Sequence, residues 1–228
     1  MSFQIAIDGP AGAGKSTIAR EVARRLNYIY VDTGAMYRAM GLYFAECGTD
    51  LDSEQAIERD CNGAQIAIRH EDGRQQVFLN GRNVSEEVRT EKAGMLASKT
   101  SAYPAVRRKL VELQQEIARV QDVVMDGRDI GTAVLPDAPL KIYLTASVET
   151  RARRRFLELE AKGLPADLKT IEADIIKRDD QDMHRKMSPL RQADDAVYLD
   201  SSDMTADEVV EKVLAFHEQI VRNNCGSC

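Results

Sequence analysis

The chain has 228 residues, 43% hydrophobic and 30% charged, enough for one globular core or one core with a small inserted domain. Its formal net charge of -6 argues against a general nucleic-acid binder, while leaving room for a local basic patch. No secretory leader pattern opens it and no segment reaches the ~18 consecutive apolar residues of a membrane helix, so a cytoplasmic protein without a membrane partner is expected.

In chain order, the first apolar run is FQIAID, residues 3–8, which reads as a buried strand. The loop after it comprises Gly9, Pro10, Ala11, Gly12, Ala13, Gly14, Lys15, Ser16 and Thr17, and fits G-x-x-x-x-G-K-S/T. Its glycines let backbone N–H groups turn inward, and the N-terminus of the next helix adds to the same anion cradle. Lys15 is expected on the outer phosphates of a bound nucleotide and the Ser16 hydroxyl on magnesium. Ile18, Val22 and Leu26 line one face of that helix.

The second run, YIYVD at 28–32, leads into DTGAMYRAM. Residues 63–90 break the rhythm with two alternating runs, Asp72-Gly73 between them and Asn80-Gly81 after the second, which predicts a small antiparallel insert. Val106, Leu110, Leu113, Ile117 and Val120 then form the apolar stripe of a long helix, with Ser101 as its candidate N-cap and Pro104 in its first turn. The third and fourth runs are DVVMDG at 122–127 and LKIYLT at 140–145. Residues 151–190 are dense in Arg and Lys and include the turn residues Gly163 and Pro165. The fifth run, AVYLDS at 196–201, precedes a last helix with a Thr205/Glu208 capping box. Val209, Val213, Leu214, Ile220 and Val221 are expected on its buried face, with His217 at the surface or boundary. The C-x-x-C of Cys225 and Cys228 lacks two further zinc ligands and reads as a pair of exposed thiols in a frayed tail. Strands alternating with helices imply an α/β fold: a five-stranded parallel sheet flanked by helices.

A phosphate loop names a donor and leaves the acceptor open. No N-K-x-D base-reading motif of a GTPase and no Ser-Gly-Gly signature of a transporter ATPase is present. Asp126, Arg128 and Asp129 follow three apolar residues, at the end of a strand where ligands of such sheets bind. Charges there are partly desolvated and need partners, which a solvated surface does not explain. Asp126 is a candidate holder of magnesium-bound water, and Asp32 another, although an Asp at a strand end also caps the following turn.

The phosphate loop, DTGAMYR, DGRDIGT, PDAPLKIYL, RRFLELEAKG and KRDDQD occur in this order in bacterial cytidylate kinases. The chain resembles that family over almost its whole length, insert included. The resemblance implies a phosphate-loop kinase core over 1–36, 121–150 and 186–228, an acceptor-binding region over 37–120 with its β insert at about 63–90, and a mobile lid over 151–185. It implies phosphoryl transfer from ATP to CMP or dCMP, with magnesium expected on the ATP; a monomer is expected because no exposed apolar repeat in the sequence suggests an interface. Arg38 and Arg128 match arginines that hold the acceptor phosphate. Ser98, Arg107, Asp129 and Arg185 match positions around the cytosine, and Arg178 and Asp182 positions near the ribose. Thr33 and Tyr37 line the same pocket, and Arg151, Arg154 and Arg155 match lid arginines. Where some members carry Gly at position 16, this chain has Ser16 beside Thr17, so the hydroxyl that meets the metal stays open between them. Two other readings remain: a kinase of a neutral hydroxyl such as shikimate, and a nucleotide-hydrolysing switch.

Overall fold

The computed structural model describes residues 2–71 and 74–225. All five apolar runs form strands within one residue of the expected bounds: β1 (Gln4–Asp8), β2 (Ile29–Asp32), β6 (Val123–Gly127), β7 (Leu140–Thr145) and β8 (Val197–Asp200). They build one sheet in the order β2-β6-β1-β7-β8. β1 pairs with β7 in parallel, Ile5 beside Leu140 and Asp8 beside Tyr143, and β7 pairs with β8 in parallel. Short Val/Ile/Leu runs suit this place because both faces of a parallel sheet are covered. Ile5, Ile7, Met125, Ile142 and Leu144 are all buried.

The insert is a separate antiparallel sheet of β3 (Ile66–Glu71), β4 (Arg74–Leu79) and β5 (Arg82–Asn83). The expected turn at Asp72-Gly73 lies outside the described residues. Asn80 and Gly81 join Leu79 to Arg82 with positive φ at both, 48° and 82°, as a two-residue hairpin requires. The helices are α1 (Lys15–Leu26), α2 (Thr33–Cys47), α3 (Glu54–Cys61), α4 (Glu91–Thr100), α5 (Pro104–Val120), α6 (Val148–Ala161), α7 (Leu168–His184) and α8 (Ala206–Cys225). None of these is long and apolar enough to cross a membrane.

Four expectations about helices need correction. Val221, expected on the buried face of α8, is 37% exposed. Tyr103, not Ser101, is the N-cap of α5; Ser101 closes α4, and Pro104 is the first residue of α5. The buried face of α5 runs through Val106, Arg107, Leu110, Gln114 and Ala118, while Val120 is 76% exposed. Apolar spacing missed this because two of the inward residues are polar and one is small. His217 is buried, its Nε2 3.0 Å from the Tyr28 hydroxyl and its ring edge-on to Phe3. Aromatic neighbours and a hydroxyl partner make that position hospitable to an imidazole. The capping box of α8 is present: Thr205 Oγ1 accepts from Glu208 N at 3.3 Å, and Glu208 accepts from Thr205 N at 2.8 Å.

The chain divides into two compact units. One takes in Ile29–Val123, with β2, the insert and α2 to α5; the other takes in Phe3–Tyr28 and the chain from Val124 onward. The side chains of the Cys225/Cys228 pair lie outside the described residues.

Candidate active site

In the unit with β1, the loop Gly9–Gly14 joins β1 to α1, whose first residues are Lys15, Ser16 and Thr17. At Gly9 the backbone runs so close to β7 that a Cβ would lie 1.9 Å from the Leu144 carbonyl oxygen. Only glycine fits that approach. The Lys15 ammonium is buried and donates to the Pro10 carbonyl at 2.7 Å. Burial first, and then the Arg128 guanidinium, push it down to about 7. Ser16 Oγ donates to Asp126 Oδ2 at 2.8 Å, joining the loop to the end of β6.

A second tie joins the same strands. Asp8, the last residue of β1, accepts from the backbone N–H of Ile130 at 2.8 Å and of Gly131 at 2.7 Å. Burial pushes its carboxyl up to about 6, against these two N–H groups, which favour the charged form. The carboxylate thus holds the turn that carries Arg128 and Asp129. Arg128 donates through Nε to Asp182 of α7 at 2.7 Å. Arg185 lies 3.5 Å from Asp129 and 4.0 Å from Asp182, and its Nε donates to the Ser188 carbonyl at 2.7 Å.

The three arginines expected in a lid make different contacts. Arg151 is buried in α6; its guanidinium donates to the Ala146 carbonyl and to the Ala11 carbonyl of the phosphate loop, and pairs with Asp179 of α7 at 2.7 Å. Arg154 donates to the Ser201 carbonyl at 2.7 Å. Arg155, exposed, pairs with Glu158 at 2.9 Å. Arg178 is exposed on α7.

In the other unit, Asp32 accepts from Ala35 N at 2.9 Å, which caps α2, and from Arg38 Nη2 at 3.0 Å. Oδ1 makes the cap and Oδ2 holds the arginine. Arg38 Nε is buried with no hydrogen-bond partner among the described residues. Thr33 is buried at the start of α2, and the Arg107 guanidinium of α5 lies 5.6 Å from the centroid of the Tyr37 ring. Ser98 is exposed on α4. Gly41 lets α4 approach α2: a Cβ there would meet the Leu96 Cβ at 2.8 Å.

The structure therefore links Lys15, Ser16, Asp126, Arg128, Asp129, Asp182 and Arg185 within one unit. It links Asp32 with Arg38, and Tyr37 with Arg107, within the other. Three participants went unnoticed in the sequence: Asp8, Asp179 and Gln75, which bonds the backbone of Asp32. Only Asp8 had a local signal, being a carboxylate directly before the glycine loop. Among the described residues no group of three His, Cys, Asp or Glu is gathered to hold a metal. Ser16 and Asp126 do offer two hard oxygen donors side by side at the loop.

A strand, a glycine loop ending in a buried lysine, and a helix, set on a parallel sheet, define an α/β protein of the phosphate-loop kinase class. The sequence pattern of the family described as Cytidylate kinase matches residues 5–219, so the chain belongs to the cytidylate kinase family. It is 50% identical over 221 residues to a cytidylate kinase of Lactobacillus johnsonii, covering 97% of this chain and 96% of that one. It is 49% identical over 221 residues to one from Caldicellulosiruptor bescii, covering 97% and 98%. The crystal structure of an uncharacterised protein from Eubacterium ventriosum shares the fold, with TM-score 0.52 and 13% identity over 96% of this chain and 99% of that one.

Proposed function

We propose that the chain transfers the terminal phosphoryl group of ATP to the phosphate of CMP or dCMP, forming ADP and CDP or dCDP. The observation that carries this is the pair of contacts that flank Arg128 and Asp129: Ser16 of the phosphate-loop motif bonds Asp126, and Asp8 at the end of β1 bonds Ile130 and Gly131. The Ser16–Asp126 contact alone would serve a hydrolase equally well; Arg128 and Asp129, held beside it and paired with Asp182 and Arg185, are what an acceptor requires.

The Gly9–Thr17 backbone and Lys15 hold the donor phosphates. Ser16, with Asp126 behind it, would hold magnesium, for which a hydroxyl, a carboxylate and phosphate oxygens are suitable ligands. When bound, the ion offsets phosphate charge. Arg38 and Arg128 hold the acceptor phosphate. Asp129 accepts from the exocyclic amine of cytosine, as acidic side chains do in reading that base, and Arg107, Ser98 and Arg185 complete the base pocket. Uracil has a carbonyl at that place, and its lone pairs would face the Asp129 carboxylate. Arg178 and Asp182 serve the ribose, with Thr33 and Tyr37 lining the pocket. The acceptor oxygen is already ionised, so no general base is needed; alignment and positive charge suffice. Arg151, Arg154 and Arg155 add positive charge from the lid, and Arg155 is the most easily released of them, because an exposed pair such as Arg155–Glu158 costs little to break.

The test is ADP release measured with CMP, dCMP, UMP, AMP, shikimate and no acceptor. CMP and dCMP should be phosphorylated fastest and UMP more slowly. Equal ADP release without any acceptor would sink the proposal, and so would a preference for shikimate.

A further inference from the structure

β2 is the last strand in its sheet order, so one side of its backbone lacks a strand neighbour in that sheet. Every second residue of a strand turns its N–H and C=O to the same side, and Tyr30 and Asp32 are such residues. Two side chains of the insert meet them. His70 Nε2 lies 2.8 Å from the Tyr30 carbonyl oxygen, so that nitrogen carries the proton. Gln75 Oε1 accepts from Asp32 N at 2.8 Å, and its amide donates to the Asp32 carbonyl at 3.4 Å. His70 and Gln75 sit directly opposite each other in the β3–β4 ladder, so a single rung supplies both contacts. A slip of one residue in that ladder would put the two side chains on opposite faces and break the pair of contacts.

Asp32 is also the residue whose side chain caps α2 and holds Arg38. Its backbone is thus held by the insert while its carboxylate aims a guanidinium that keeps Nε unpartnered. We infer that the His70–Gln75 rung is a positioning device for acceptor binding: it fixes the end of β2, Asp32 fixes Arg38, and the free donors of Arg38 are presented to the acceptor phosphate. This rests on the reading of Arg38 as an acceptor-phosphate ligand. A rung that merely covers a sheet edge would affect stability and leave acceptor affinity alone.

Steady-state kinetics of the full chain separate the two. Gln75→Ala should raise the KM for CMP about fivefold and leave the KM for ATP unchanged, the scale of losing one or two neutral hydrogen bonds. His70→Ala should act in the same direction, and His70→Gln, which restores a donor to the Tyr30 carbonyl, should recover most of the loss. In an Arg38→Ala background, Gln75→Ala should add nothing to the KM for CMP, because the two act through one guanidinium. Gln75→Met keeps the side-chain volume and is the variant to read should Gln75→Ala not fold. If Arg38→Ala leaves the KM for CMP unchanged, the reading of Arg38 fails and the inference with it. If Arg38→Ala raises it while the Gln75 variants shift only Tm, or raise both KM values equally, the inference alone is overturned.

Discussion

The Lys15 ammonium is 6% exposed and faces the Pro10 carbonyl, with its proton affinity driven down to about 7 by burial and by Arg128. Phosphate oxygens reverse that balance, since a nearby opposite charge favours the ammonium. Above pH 7 the free enzyme holds a growing share of neutral Lys15, so nucleotide binding must take up a proton. Affinity for magnesium–ATP should be flat below pH 7, where Lys15 is already charged, and fall as pH rises from 7 to 9. Calorimetry with a non-hydrolysable ATP analogue at pH 8, in two buffers of different ionisation heat, should show uptake of about 0.5–1 proton. Lys15→Met should abolish the uptake; proton release by the native enzyme would refute it. At this scale the sequence showed the residues that a motif places by local spacing, such as Lys15, Ser16 and Asp129. It hid those whose partners lie far along the chain. Gln75 meets Asp32 across 43 positions and Asp8 meets Ile130 across 122, and no local pattern encodes such a pairing.

Secondary elements were more legible where burial is apolar and two-sided. All five sheet strands announced themselves as short hydrophobic runs, whereas the inward face of α5, with Arg107 and Gln114 on it, did not. The pair α6 and α7 shows the same contrast. Arg151 stood out in the sequence as one of a cluster of arginines, but not as the residue that joins the Ala11 carbonyl of the phosphate loop to Asp179 of α7. Both side chains of this ion pair are largely buried, so removing one charge strands the other. Asp179→Asn should lower stability by about 3 kcal/mol, read from chemical denaturation. It should also raise the KM for ATP, because Arg151 loses the anchor that aims it at Ala11, while the KM for CMP stays constant. Arg151→Lys should not substitute, since an ammonium lacks the planar fork that reaches three acceptors. A fall in stability with both KM values unchanged would make the pair a packing feature only.

Across the whole molecule, the phosphate-loop residues Gly9–Thr17 and Arg151 belong to one unit. A transferase must keep water from taking the place of the acceptor. The connection between α6 and α7 is suited to respond. Gly163, at φ 67°, donates to the Glu160 carbonyl at 2.9 Å, and Leu164 N to the Leu159 carbonyl at 3.0 Å, which stops α6 cleanly and starts a short loop. Leu164 in this loop and Leu168 at the start of α7 are 51% and 40% exposed, and exposed leucines gain from any closure that covers them. Amide exchange in residues 160–167 should therefore slow on the order of tenfold when an ATP analogue and CMP are both bound, and change little with either alone. Unchanged exchange with both nucleotides present would remove the lid from the mechanism. Full protection by the ATP analogue alone would mean that closure does not wait for the acceptor. Water excluded by closure would then have to be excluded from the donor complex too, and ADP release without CMP should stay negligible for that reason instead.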